Sequence, residues 1–428
     1  MRRPVRFFVI LAAAPSLLLA QSATNIPASR IVNGFDASRL ARIDQALQSY
    51  VDRNEIAGAV ALVLHDGRPV YEKAVGWADK ESGRRMTTDA IFRIASQTKA
   101  LTSTAVLMLV EEGKISLRDP VSRFIPQFAH TTVATRSDTG RVITPAKREI
   151  TIHDLLTHTA GISYGTDPIV APLYQAEGLG PAAGWGWYTA DKNEPICTTM
   201  ERLASLPFVA QPGEKWVYGY NIDILGCVVE RASGIPFDQF IRTRITEPLG
   251  MKDTFFFIPP DKKQRLVTVY MTDSAGRLQR APEGARGQGH YVDGPRRNFS
   301  GGAGLLSTAH DYARFLQMIA NGGQLDGVRI LAPRTVMLMT TNQSDTLFKM
   351  VTPCGGFGLG FGTHERVGCD DMASVGSFFW GGAYGSSYIV DPKEHLVIVF
   401  MENRLPRKSE PGDNFRNLVY PALVEPRT

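Results

Sequence analysis

Ser96-Gln97-Thr98-Lys99 places a hydroxyl and an amine three residues apart in a segment that reads as a helix start. Residues so spaced share one helix face, about a turn apart. A lysine held neutral there takes the proton from the serine, which is a weak nucleophile until a neighbouring base activates it. The pattern is cheap alone: average residue usage gives about one S-x-x-K by chance in a chain of this length. It occurs once here, so context must decide its meaning. A second serine competes. Gly161-Ile162-Ser163-Tyr164-Gly165 matches G-x-S-x-G, the nucleophile elbow that needs a strand, a tight turn and then a helix. Here it follows a helical segment, 152–158, and runs into a Pro/Gly-rich loop. Ser163 therefore reads as an ordinary loop serine.

Other chemistries have weaker footing. Cys197, Cys227, Cys354 and Cys369 show no C-x-x-C spacing, and their pairing cannot be read from the sequence. The eight histidines are scattered, and His364-Glu365 lacks the second histidine of H-E-x-x-H. His153 and His158 flank Asp154 and read as helix-packing residues. No catalytic metal and no cofactor is expected.

The elements around Ser96 must position it. Asp36-Ala37-Ser38 caps an amphipathic helix whose Leu40, Ile43, Ala46 and Leu47 share a face. Two strand-like runs, 57–65 and 69–77, meet at His65-Asp66-Gly67-Arg68, where Asp-Gly signals a hairpin. Ile91-Phe92-Arg93-Ile94 is an apolar lead-in that buries the start of the Ser96 helix, which runs through Leu109 and stops near Gly113. From about Leu117 to Gly289 the chain turns rich in Pro, Gly and aromatic residues, with helical patches at 152–158, 200–205 and 221–233. Beyond Gly301 a helix is predicted at 309–320 and strands at 386–390 and 396–402.

The 428 residues, 43% hydrophobic, suit a globular protein with a large core. Residues 1–23 read as a signal peptide: Arg2, Arg3 and Arg6 precede an apolar run and small residues. That run is shorter than the ~20 residues a bilayer span needs, and Pro15 interrupts it. No cysteine follows it to carry a lipid. Export to the periplasm or medium is expected, without a stable membrane anchor. Losing the three leader arginines takes the formal +5 to about +2, too little to argue for a nucleic-acid partner.

Several motifs, in order, give this chain a family likeness. Ser96-x-x-Lys99, Leu155-Leu156-Thr157-His158-Thr159-Ala160-Gly161 and Pro212-Gly213-Glu214-Lys215-Trp216-Val217-Tyr218 resemble the serine β-lactamase and penicillin-binding-protein superfamily. So do Pro248-Leu249-Gly250-Met251 and Gly301-Gly302-Ala303-Gly304-Leu305. The likeness is to the class C-like branch, with its family VIII carboxylesterases. It implies an α+β fold: an antiparallel sheet flanked by helices, built from residues 36–116 and 290–425, with a mostly helical domain, 117–289, inserted. The composition change at about Leu117 and Gly289 agrees independently.

The resemblance also implies roles. The group's Tyr-x-Asn reads Tyr218-Gly219-Tyr220 here, so the tyrosine matches and the asparagine does not. Tyr218 and Lys99 would form a coupled acid/base pair, either of them the base for Ser96. The Lys-Thr-Gly strand is replaced by Trp380-Gly381-Gly382, the form of family VIII esterases. The N–H groups of Ser96 and Ala383 would make the oxyanion hole. Tyr220, Trp380, Gly381 and Gly382 are the expected substrate-binding residues. Replacing a cation and an amide by Trp380 and Tyr220 favours neutral esters of short to medium acyl chain over anionic amides. Trp185, Trp187, Tyr164 and Tyr174 line the acyl or alcohol pocket or pack the core. The expected function is a secreted serine carboxylesterase acting on small esters, with weak β-lactamase side activity. The alternatives are a β-lactamase, D-amino-acid peptidase or acyltransferase on the same fold, and a non-catalytic cell-envelope binding protein, whose mark would be a broken Ser96–Lys99–Tyr218 set.

Overall fold

The structure, a computed structural model, describes residues 31–138, 140–181, 187–368, 371–408 and 410–425. The expected signal peptide lies outside them, as do Trp185 and Cys369. Helix α1 (Ala37–Asp52) starts where the Asp36 carboxylate accepts the Ser38 N–H at 2.8 Å and packs Leu40, Ile43, Leu47 and Tyr50 inward. Strands β1 (Gly58–His65) and β2 (Arg68–Asp79) follow as an antiparallel hairpin in which His65 pairs Arg68. The two turn residues, Asp66 and Gly67, both take positive φ (49° and 72°), the backbone that matches the twist of a two-residue hairpin.

With β3 (Arg84–Arg85), β4 (Gly355–Phe357), β5 (Gly362–His364), β6 (Phe378–Gly381), β7 (Gly385–Asp391) and β8 (Leu396–Leu405), the strands line up in the order β4-β5-β6-β7-β8-β1-β2-β3, each neighbouring pair antiparallel. The two chain ends meet at the β8–β1 pair in the middle. Both central strands are buried throughout, and alternation sorts their side chains. Leu396, Ile398 and Phe400 face α1 and the C-terminal helix, α7 (Glu410–Ala422). Val397, Val399 and Met401 face the larger core shared with the rest of the chain.

That larger core holds α2 (Thr98–Glu111), α3 (Ile152–Leu156), α4 (Ile196–Ala204), α5 (Asn221–Ser233) and α6 (Ala309–Ala320). Helix α2 is buried on all sides from Thr98 to Leu109 and packs against α5. A helix without a polar face belongs in the centre of a large core. The predicted insert, 117–289, is not simply helical. It holds one hairpin at Thr132–Ser137 and Gly140–Pro145, and a second at Tyr270–Thr272 and Leu278–Arg280 that joins β8 in parallel. Their strands are short or largely exposed, so they leave little apolar alternation to read.

Candidate active site

The chain enters the site through Phe92–Arg93, which pairs with Leu306–Ser307. Ala95 then takes φ 41°, a left-handed backbone that costs a non-glycine residue energy and is found where structure forces it. A single turn of 3-10 helix, Ala95–Gln97, leads into α2. Within residues 91–100, Ser96 alone escapes full burial. The fold thus presents one hydroxyl on an otherwise buried segment.

Lys99 is 1% exposed, and its three possible donors meet three acceptors. Nζ lies 3.2 Å from Ser96 Oγ, 3.0 Å from Tyr164 Oη and 2.7 Å from the Gly302 carbonyl. The 301–305 segment is fastened to α2 by Thr102 Oγ1 donating to Gly301 O (2.7 Å) and by Leu305 N–H donating to Thr98 Oγ1 (3.0 Å). A Cβ at Gly302 would collide with the Asp223 carboxylate, so only glycine lets this carbonyl reach Lys99. Asp223, in the first turn of α5, accepts Ser300 Oγ–H (2.5 Å) and Gly302 N–H (3.1 Å). Burial pushes its carboxyl up, against the pull of the Lys99 cation and these donors.

Two tyrosines flank the amine, and they differ. Tyr164 is buried; desolvation, and then the charges of Tyr218 and Asp223, push its phenol well above the ordinary value and keep it neutral. Tyr218 is half-buried, its ring centroid 4.7 Å from Lys99 Nζ, and its Oη accepts the Trp380 indole N–H at 3.1 Å. Behind it stand His158 (4.7 Å between ring centroids) and Trp216 (5.6 Å, nearly parallel). His158 is wholly buried, and desolvation followed by the Lys99 charge holds it neutral. Its Nδ1 lies 2.9 Å from Asn221 Nδ2.

Strand β6 brings Trp380 to Tyr218, and the chain then crosses over the serine turn. A Cβ on Gly382 would stand 2.5 Å from the Ile94 carbonyl, so glycine is required for this approach. Gly382 N–H donates to Ser386 O at 2.7 Å, and the next residue, Ala383, has an N–H without an acceptor among the described residues.

Ser96, Lys99, Tyr218, Trp380, Gly382 and Ala383 therefore converge, and two expected binding residues do not. Tyr220 is fully buried at the cap of α5; its Oη accepts Gly180 N–H (3.1 Å) and its ring stands edge-on to Tyr164. It props Tyr164 from behind. Gly381 alternates with Trp380 on β6 and faces the other way, toward the Arg407 guanidinium about 3.0 Å from where a Cβ would be. Of the other aromatics, Tyr174 is core, and Trp187 is half-buried, edge-on to Tyr384 at 5.4 Å. Ser163 is 5% exposed and accepts the Gly165 N–H (3.1 Å), with no base hydrogen-bonded to it among the described residues. The sequence reading missed Tyr164 as a lysine partner, Gly302, Asp223 and His158; His158 and Gly302 lie in Leu155–Gly161 and Gly301–Leu305, motifs noted for resemblance alone, and Tyr164 and Asp223 lie in neither.

A model of the family described as Beta-lactamase matches residues 43–420. The chain belongs to the beta-lactamase family. Protein Rv1367c of Mycobacterium tuberculosis (strain H37Rv) is 34% identical over 380 residues, covering 84% of this chain and 89% of that one. Esterase EstB of Burkholderia gladioli is 33% identical over 387 residues, covering 86% and 91%. Among solved structures, EstCE1, a hydrolase with promiscuous acyltransferase activity, superposes with a TM-score of 0.77 at 27% identity, covering 90% of this chain and 99% of that one. The fold is accordingly beta-lactamase-like and α+β, and within the wider superfamily the chain lies near the family VIII esterases.

The disulfide state was left open by spacing. Cys197 on α4 is bonded to Cys227 on α5, Cys354 is also disulfide-bonded, and no described cysteine is free.

Proposed function

We propose that this protein is a serine carboxylesterase that works through an acyl-enzyme on Ser96. The observation that carries the reading is the Ser96 Oγ–Lys99 Nζ contact of 3.2 Å, with the amine held from behind by Tyr164 and Gly302. Ser96 Oγ attacks the ester carbonyl carbon as its proton passes to the Lys99–Tyr218 pair. The tetrahedral oxyanion is received by the N–H groups of Ser96 and Ala383. The C–O bond to the alcohol then breaks, and the pair returns the proton to the leaving oxygen. Water repeats the sequence on the acyl-enzyme and frees the acid. Tyr164, neutral by burial, orients Lys99 without exchanging its own proton.

The substrate class follows from what faces the serine. Trp380 offers an indole in place of a cation, and the nearby Arg407 guanidinium sits behind Gly381, on the opposite face of β6. An anionic substrate would lack a counter-charge there, whereas a neutral ester of short to medium acyl chain meets Trp380 and Trp187. An alcohol replacing water in the second half would turn the same intermediate into an acyl donor, the activity named for EstCE1. The leader-like residues 1–23 and the Cys197–Cys227 disulfide support an exported, oxidising location.

The test is turnover of p-nitrophenyl butyrate and of nitrocefin by the wild type, Ser96→Ala and Ser163→Ala. Ester hydrolysis lost only in Ser96→Ala is expected. Loss in Ser163→Ala with retention in Ser96→Ala would overturn the assignment, and fast nitrocefin turnover without ester turnover would make the enzyme a β-lactamase.

A further inference from the structure

A separate cavity of about 710 Å³ opens between the end of β2, residues 263–268 and residues 280–293. One of its walls is Arg93, three residues before Ser96 and 3% exposed. The Arg93 guanidinium donates from Nε to Gln288 O (2.7 Å) and from Nη1 to Val267 O (2.5 Å), and its carbon lies 5.5 Å from the Tyr291 ring centroid. Among the described residues Nη2 has no acceptor, and no carboxylate stands within ion-pair range. A guanidinium cannot shed its proton to escape burial, and buried charges are ordinarily paired. Desolvation accordingly works against this cation.

Arg93 is not the only unneutralised cation in the cavity. Arg84, half-buried, donates from Nη2 to Leu266 O (2.8 Å), the carbonyl next to the one that Arg93 uses, and makes no ion pair among the described residues. Lys263, exposed at the opening, is likewise unpaired among the described residues. The wall's acids are largely spent elsewhere: Asp79 and Glu283 both pair with Arg280, at 2.9 and 3.7 Å. Asp293 is exposed, so the four cations of the lining (Arg84, Arg93, Lys263 and Arg280) outnumber its three carboxylates (Asp79, Glu283 and Asp293) by one, and only Arg280 of these cations is in an ion pair among the described residues. The Gln288 amide, which could otherwise bind a ligand, is already bonded to Val269 and Ala281. What the cavity offers a ligand is a set of fork-shaped cationic donors, the geometry that grips oxyanions.

We propose that this cavity binds the phosphate or carboxylate group of a small molecule, held by Arg93 and Arg84 with Lys263 at the mouth. The site is distinct from the Ser96 centre and does not depend on the esterase reading. The test is calorimetric titration of the whole protein, at fixed ionic strength, with inorganic phosphate, succinate and chloride. Saturable binding of phosphate or succinate, but not chloride, is expected, and whichever binds names the headgroup. Lys263→Gln and Arg84→Gln should each weaken it at least threefold, and the double variant should abolish it, with p-nitrophenyl butyrate turnover unchanged as the control for folding. Ser96→Ala should bind as the wild type does. No saturable binding to the wild type, full-strength binding by the double variant, or loss of binding in Ser96→Ala would each overturn the proposal.

Discussion

Replacing Tyr164 by Phe removes one oxygen from the wall of the site and nothing else. In the native structure that oxygen is one of three acceptors for Lys99 Nζ, at 3.0 Å, and it is buried. The remaining partners, Ser96 Oγ at 3.2 Å and Gly302 O at 2.7 Å, leave one N–H unmatched. A hydrogen bond to a charged group contributes about 1.5–3 kcal/mol, and burial keeps water from replacing it. If that energy acts on the placement of the amine during acylation, kcat/KM for p-nitrophenyl butyrate should fall roughly 10- to 150-fold. Tyr218→Phe should cost more, about 10²–10⁴-fold, because it removes a group that carries a proton. Tyr220→Phe is the control: it deletes the bond to Gly180 N–H away from Lys99, so stability should drop by about 1 kcal/mol with kcat nearly unchanged. The assay is steady-state kinetics on the three variants, with denaturant unfolding alongside. Wild-type kcat/KM in Tyr164→Phe, at unchanged stability, would refute the positioning role. A harmless Tyr218→Phe beside a crippled Tyr164→Phe would mean that the two tyrosines have been assigned the wrong way round.

Three further outcomes follow from the same geometry. Glu402 lies beneath the turn that carries Ala383, wholly buried, with one oxygen 3.4 Å from Arg404 and the other without a partner among the described residues; burial pushes its carboxyl up to about 7 despite that cation. Between its ordinary 4.5 and about 7 the unfolded chain releases a proton that the folded chain keeps, so stability falls as pH rises through that window, by up to about 3 kcal/mol. Glu402→Gln should flatten that slope in urea titrations at pH 4.5, 6 and 8, and an unchanged slope would place the titration elsewhere. Gly382→Ala sets a methyl against the Ile94 carbonyl and pushes Ala383 away from Ser96, so kcat should drop about 10²–10³-fold, the loss typical of one oxyanion donor; a normal kcat would remove Ala383 from that role. Cys197→Ser/Cys227→Ser opens a loop with a sequence separation of 30, which should cost about 3–4 kcal/mol in chemical unfolding while KM stays the same.

Local signals were legible where short-range backbone chemistry or one-sided burial fixes them. Asp66-Gly67 forces its hairpin whatever surrounds it, and the predicted helix over 309–320 matches α6 residue for residue. Asn221–Ser233 is likewise the helix its periodicity predicts. Ser96 and Lys99 were readable because a single helical turn joins them. Tyr164 was not, since it reaches Lys99 from 65 residues away through an irregular loop with no periodicity to fix its direction. The same gap misplaced Tyr220: two residues beyond Tyr218, it reads as its companion, yet the chain turns into α5 between them and carries it into the core. Gly381 was misread more simply, because alternation on β6 turns it away from the face that Trp380 occupies. The glycines at 302 and 382 signal turns in the sequence, and only packing shows that the first clears the Asp223 carboxylate and the second the Ile94 carbonyl.

The central claim is a covalent acyl-enzyme on Ser96, and trapping it is the direct measurement. Wild-type protein is mixed with p-nitrophenyl butyrate, quenched in acid within milliseconds, digested and analysed by mass spectrometry. One butyryl group on the peptide containing Ser96, absent in Ser96→Ala and still present on that peptide in Ser163→Ala, is the predicted result. A butyryl group on Ser163, or rapid turnover in Ser96→Ala, would contradict it.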